Sequence, residues 1–277
     1  MSDTPTASAK AQTPITVPGL RAAKRRDGHQ PIVMVTAYDA PGARIADAAG
    51  VDVILVGDSL ANNVLGYEDT LQVTVDDMVH HTAAVARAKP RPLIVGDLPW
   101  LSYHIDTADT VRNAAALIRA GAGAVKLEGG RKRVPMIEAL VAAEIPVMGH
   151  LGLTPQSVHT MGGYRVQGKG DAAADALAAD AKAIAAAGCF AIVLEGVPEG
   201  LGAIITQQLD IPTIGIGAGP ACDGQVLVFH DLLGLNAATP KFVRRYAELA
   251  AAATEAVAAY AADVRSGAFP SDAEVYH

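Results

Sequence analysis

Residues 53–59 read VILVGDS: four apolar residues, a glycine, an acid and a hydroxyl. The phrase returns as LIVGD at 93–97, and looser echoes end in glutamate at AVKLEG (124–129) and AIVLEG (191–196). A short β-branched run that is apolar at every position belongs to a strand buried on both faces, the condition of a parallel sheet wrapped in helices. Runs of this kind predict strands at 32–38, 52–58, 92–97, 124–128, 146–150, 190–195, 212–216 and 226–230. Ala-rich amphipathic stretches between them predict helices over 40–49, 75–89, 107–120, 133–144, 171–187 and 199–209, the third opening on Asp106 or Thr107 as N-cap. Eight such units in about 250 residues fit a (β/α)8 TIM barrel better than an open doubly wound sheet. Residues 18–28 are expected to form an N-terminal helix closing the barrel bottom, and the alanine-rich 240–266 a long C-terminal helix whose apolar excess serves packing within the protomer or, alternatively, a subunit interface. Residues 1–14, rich in Ser, Thr, Ala and Pro, are expected to be a disordered tail ahead of one catalytic domain over 15–277.

The bulk numbers limit the function classes. The chain has 277 residues, 51% of them hydrophobic, with a mean hydropathy of +0.25, enough to bury a large core. The formal net charge is −7 and the cations are scattered apart from Lys24-Arg25-Arg26 and Arg131-Lys132-Arg133, so nothing invites nucleic acid. Cys189 and Cys222 lack CxxC spacing, which argues for a reducing compartment and against a thiolate metal site. No apolar run approaches the roughly 18 residues of a membrane span, and residues 1–14 have no apolar centre of a signal peptide. A cytoplasmic protein is expected.

In a barrel the residues at the C-terminal ends of the strands project into the mouth. Asp58, Asp97 and Glu128 would then end the second, third and fourth strands, His150 the fifth and Glu195 the sixth. Lys126, two residues before Glu128, points to the same side. Converging carboxylates repel unless a cation joins them. All-oxygen donors favour Mg²⁺ or a similar hard ion over zinc. Three carboxylates, a divalent ion and Lys126 cancel, leaving a site able to take a small anion; a 2-oxo acid, chelating through carboxylate and keto oxygens, suits it. The alternative is that these acids cap the helices that follow, which holds better for any one of them than for all together.

Other stretches carry less. GYRVQGKG (163–170) approaches a phosphate-binding loop, but Gly170 stands where that pattern needs a hydroxyl and no apolar strand precedes Gly163, so a mobile loop over the mouth is expected. GIGAGP (215–220) runs into Pro220 instead of a helix and reads as a tight turn. His80 and His81 fall on a predicted helix and read as surface or interface residues; His230, at the end of the eighth predicted strand, is evenly balanced between structural and functional readings.

Taken together, VGDSL (56–60), GYEDT (66–70), DLPWLSY (97–103), AGAGAVKLEGG (120–130), GHLGLTPQSV (149–158), GGYRVQG (162–168), IPTIGIGAG (211–219) and CDGQVLVFHDLLGL (222–235) resemble the ketopantoate (3-methyl-2-oxobutanoate) hydroxymethyltransferase family over residues 14–270. The departures are Ala61-Asn62-Asn63 and Trp100, both beside the carboxylates. The resemblance implies transfer of a hydroxymethyl group from 5,10-methylenetetrahydrofolate to 3-methyl-2-oxobutanoate, giving 2-dehydropantoate in pantothenate and coenzyme A biosynthesis through a Mg²⁺-stabilised enolate. It implies that Asp58 and Asp97 bind the metal, with Glu128 completing the shell directly or through water. Ser59, Asp58, Asp97 and Lys126 would hold the substrate, Glu195 in LEGVP would be the proton acceptor, and His150 is a candidate contact near the new hydroxymethyl group. It also implies a homodecamer of two pentameric rings. Two readings compete: a Mg²⁺-dependent lyase or mutase of 2-oxo acids, of the phosphoenolpyruvate mutase and isocitrate lyase group, though no cysteine lies in a mouth loop; and a barrel that binds a 2-oxo acid without catalysis.

Overall fold

The computed structural model describes residues 13–24 and 28–277. Residues 1–12 of the expected tail and 25–27 of the expected first helix lie outside the described residues. The chain groups into two compact units, the first ending at Val228 and the second spanning Phe229–His277.

The first unit is a closed barrel of eight parallel strands in sequence order: β1 (Ile32–Thr36), β2 (Val53–Val56), β3 (Leu93–Asp97), β4 (Ala124–Glu128), β5 (Val147–Gly152), β6 (Ala191–Glu195), β7 (Thr213–Ile216) and β8 (Gly224–Leu227), with β8 closing on β1. Its helices are α1 (Val17–Ala22), α2 (Ala40–Ala48), α3 (Val75–Ala86), α4 (Thr107–Arg119), α5 (Val134–Ala142), the short α6 (Val158–Met161), α7 (Asp171–Ala186) and α8 (Glu199–Gln208). This is the expected (β/α)8 architecture. Dedicated residues start the helices: Asp39 caps α2, Thr74 and Asp77 form a capping box on α3, and Asp106 caps α4.

Strand alternation fills the barrel. Met34, Val53, Leu55, Leu93, Val95, Ala124, Met148, Ala191, Val193, Ile214, Ile216 and Val226 point inward into one buried cluster. Burying a side chain the size of Met148 or Ile214 stabilises the fold by about 1.5–3 kcal/mol. Leu20 of α1 joins that cluster, and Ile15, Val17 and Ala23 pack against it. Lys24 reaches the carbonyls of Thr206 and Ile211 and the Asp223 carboxylate, just ahead of β7 and β8, so this segment closes the N-terminal end of the barrel as expected.

Several boundaries moved. β2 ends at Val56, which leaves Asp58 on the following turn; β5 runs on to Gly152, which places His150 inside the strand. The last strand starts earlier than the apolar run VLVFH suggests, because Gly224 is the residue paired with Ile32, and a Cβ there would run into the Ile32 carbonyl. His230 therefore ends no strand. It lies in the second unit, in α9 (Phe229–Leu232). The terminal helix α10 (Leu249–Ser266) begins nine residues later than expected, since Arg245 ties down the carbonyls of Asn236 and Ala237 in a non-helical turn. No helix of the described residues is long and apolar enough to cross a membrane.

Candidate active site at the barrel mouth

The inward series that fills the barrel turns polar at its C-terminal end. On β3 it runs Leu93, Val95, Asp97; on β4 Ala124, Lys126, Glu128; on β5 Met148, His150; on β6 Ala191, Val193, Glu195. Parallel register sets these residues side by side: Asp97 is level with Lys126, Glu128 with His150, and Gly152 with Glu195. Lys126 Nζ lies 2.8 Å from Asp97 Oδ1. His150 bridges two strands, with Nδ1 3.2 Å from Glu128 Oε1 and Nε2 3.2 Å from Glu195 Oε2, the latter contact bent away from hydrogen-bond alignment. Asp58 joins from the turn after β2, its backbone N–H donating to Asp97 Oδ2 at 3.3 Å. The sequence-predicted set Asp58, Asp97, Lys126, Glu128, His150 and Glu195 is thus brought together. Ser59 stands beside it, its hydroxyl 2.9 Å from the Tyr38 hydroxyl.

None of the four acids caps the helix that follows it: the π-helical turn Ala61–Leu65 and α8 carry no side-chain cap, and α4 and α5 begin on Asp106 and Arg133. Their burial has another use. Gly152 has φ +95°, and an added Cβ there would run into the Glu195 carbonyl oxygen, so glycine lets β5 and β6 converge where His150 and Glu195 meet.

Charge in this space is tightly constrained. Burial, then repulsion by Asp97 and Glu128, holds the Asp58 carboxyl well above the usual range. Burial also raises Asp97, against the pull of Lys126. For Lys126, burial favours the neutral amine, but Asp97, Glu128 and Asp58 outweigh it and raise its pKa. For His150, burial and Lys126 push down, and the hydrogen bond and charge of Glu128, helped by Glu195, carry the pKa up to about 9. When protonated, His150 faces Glu128 with Nδ1 and Glu195 with Nε2, the latter without a hydrogen bond. Lys126 Nζ stands 3.4 Å from the same Nδ1.

Sequence reasoning missed the polar residues behind these groups. Gln156 Nε2 donates to Asp58 Oδ2 at 2.8 Å, and its backbone N–H donates to Glu128 Oε2 at 3.1 Å. Tyr103 hydroxyl donates to Gln156 Oε1 at 2.5 Å and accepts the Glu128 backbone N–H at 3.1 Å. His81, expected at a surface or interface, is half-buried, with Nδ1 2.7 Å from the Tyr38 carbonyl, and so ties α3 to the end of β1.

Among the described residues, no three His, Cys, Asp or Glu side chains stand close enough to form a ready-made metal cage. Mg²⁺ does not need one, since it usually takes one or two carboxylates and keeps several waters. The donors fit that pattern. Asp58 and Asp97 are adjacent all-oxygen donors, and among the described residues the hydrogen bond to the Asp58 carboxylate, from Gln156, falls on Oδ2. Both oxygens of Glu128 are engaged, by His150 and by the Gln156 N–H, which suits contact through water better than direct ligation. The cluster holds four carboxyl groups against two cationic side chains, Lys126 and His150, an acidic excess that a divalent ion would offset.

The family model described as ketopantoate hydroxymethyltransferase matches residues 14–272. The chain is 58% identical over 262 residues to a 3-methyl-2-oxobutanoate hydroxymethyltransferase of Methylobacterium sp. (strain 4-46), covering 94% of this chain and 90% of that one. It is 55% identical over 255 residues to the protein of the same name from Koribacter versatilis (strain Ellin345), covering 91% and 86%. Among solved structures, 2,3-dimethylmalate lyase, a PEP mutase/isocitrate lyase superfamily member, aligns with a TM-score of 0.60 over 95% of this chain and 92% of that one; at 20% identity this likeness shows the fold alone.

Proposed function

Because the chain belongs to the ketopantoate hydroxymethyltransferase family, we propose that it transfers a hydroxymethyl group from 5,10-methylenetetrahydrofolate to 3-methyl-2-oxobutanoate, forming 2-dehydropantoate on the route to pantothenate. The observation that carries this reading is the line of Asp97, Lys126, Glu128, His150 and Glu195 across four neighbouring strands, buried as far as His150.

Asp58 and Asp97 would hold Mg²⁺, with Glu128 reaching it through water. When bound, the ion supplies positive charge beside the keto oxygen, a contribution of several kcal/mol to enolate formation. Lys126 pairs with Asp97 by charge and offers its ammonium N–H groups to the substrate carboxylate. Ser59, fixed by Tyr38, offers a second polar contact. Glu195, at the end of β6 with Oε2 3.2 Å from His150 Nε2, would take the proton from C3 of the 2-oxo acid. The electron pair of that C–H bond becomes the C2–C3 double bond of the enolate. C3 then attacks the methylene carbon as its bond to one folate nitrogen breaks, and water replaces the second nitrogen on that carbon; the proton taken by the base and one proton of the water end on the two nitrogens, releasing tetrahydrofolate.

An assay with each component left out in turn tests this. Product should form only when 3-methyl-2-oxobutanoate, methylenetetrahydrofolate and Mg²⁺ are all present. Cleavage of a 2-oxo acid or its malate-type precursor without folate would favour a lyase instead.

A further inference from the structure

Gln156 sits in the 3-10 turn Pro155–Ser157 after β5, buried at 5% exposure, and no feature of the turn itself requires an amide there. Its carboxamide has one acceptor and two donors, and every one is engaged. Oε1 accepts from the Tyr103 hydroxyl at 2.5 Å, while Nε2 donates to Asp58 Oδ2 at 2.8 Å and to the Leu98 carbonyl at 3.0 Å. The direction of this chain is fixed. Tyr103 already accepts the Glu128 backbone N–H at 3.1 Å, so its own proton is left for Gln156 Oε1. An amide turned end over end would set its NH₂ against that hydroxyl proton and its oxygen against a carboxylate and a carbonyl. Tyr103 is itself held, 1% exposed, with the Arg133 guanidinium 5.3 Å above its ring.

Asp58 is the acid that most needs such a partner. Asp97, Lys126 and Glu128 stand on strands whose register fixes them, whereas Asp58 stands two residues beyond the end of β2. We propose that Gln156 is the positioning residue of this site: braced by Tyr103, it grips Asp58 by Oδ2, turns Oδ1 toward the cation and the 2-oxo acid, and through its backbone N–H sets Glu128 in the same turn. The inference rests on the function proposed above. A purely structural role predicts lower stability on substitution and nothing more. A positioning role also predicts weaker ion binding by protein that remains folded, and a dependence of Tyr103 on Gln156.

The test is Mg²⁺ titration calorimetry, without folate, on the native protein, Gln156→Leu, Tyr103→Phe and the double variant, each checked for native circular dichroism. Gln156→Leu keeps the volume and removes three hydrogen bonds; it should weaken Mg²⁺ binding roughly 10–100-fold, the usual effect of losing a group that orients a ligand. Tyr103→Phe should weaken it less, and the double variant should be no worse than Gln156→Leu, because Tyr103 acts through the amide. Native Mg²⁺ affinity in folded Gln156→Leu, or losses that add in the double variant, would overturn the proposal. If Gln156→Leu does not fold, Tyr103→Phe decides by the same measurement, and native affinity there overturns it. A native protein that binds no Mg²⁺ would instead overturn the metal reading of the proposed function, and this inference would fall with it.

Discussion

Replacing Lys126 with methionine removes one charge from the mouth with little change of shape. Lys126 is 3% exposed and pairs at 2.8 Å with Asp97, which is 1% exposed, with Asp58 and Glu128 buried nearby. The variant strands Asp97 among like charges that already raise the pKa of Asp58. Breaking a buried pair on one side costs about 3–5 kcal/mol, two to nearly four powers of ten in the folding equilibrium. Most of that cost belongs to the stranded carboxylate, so Asp97→Asn in the Lys126→Met background should recover a substantial part of it. Urea unfolding of the two single variants and the double variant at pH 7, with a chelator present, closes the cycle. A Lys126→Met loss below about 1 kcal/mol, the range of exposed pairs, would refute the idea that the ammonium is an essential counter-charge. So would single losses that simply add.

His150 should stabilise the fold in a pH-dependent way. Its folded pKa of about 9 lies above the unfolded 6.5, so the stabilisation is complete below pH 6.5 and is lost as pH rises through about 9; the gap in urea midpoint between native protein and His150→Gln should narrow over that window, and a constant gap would contradict the pairing with Glu128 and Glu195. Gly152→Ala forces a side chain into a left-handed backbone and against the Glu195 carbonyl, which should lower stability by about 1–3 kcal/mol and depress turnover together; native thermal stability would contradict the close approach of β5 and β6.

The barrel was legible because fully apolar strands with helical stretches between them admit few architectures, and strand boundaries came within about three residues, the largest shift being at β8. There the pairing of Gly224 with Ile32 sets the strand, and an apolar run in sequence carries no trace of that register. Asp97, Lys126, Glu128 and Glu195 were legible for a related reason: they continue the period-two inward series of buried strands, so their identity and spacing are enough. Asp58 was placed on a strand it has already left. Gln156 was not legible at all. Its partner Asp58 lies 98 residues away, and an amide in GLTPQS looks like any surface glutamine until the closed barrel brings the turn after β5 over the turn after β2.

The role assigned to Glu195 can be isolated from the rest of the reaction. Enolisation needs the 2-oxo acid, the ion and the base, so native protein with Mg²⁺ and without folate should exchange the C3 proton of 3-methyl-2-oxobutanoate with deuterated water, followed by proton NMR of the substrate. Glu195→Gln keeps the shape and the contact with His150 but cannot take the proton. It should bind the 2-oxo acid nearly as well as native protein and lose exchange by a factor on the order of 10²–10⁴, the contribution of a positioned general base. Native-like exchange in a folded Glu195→Gln protein would contradict the assignment and place the base on another residue.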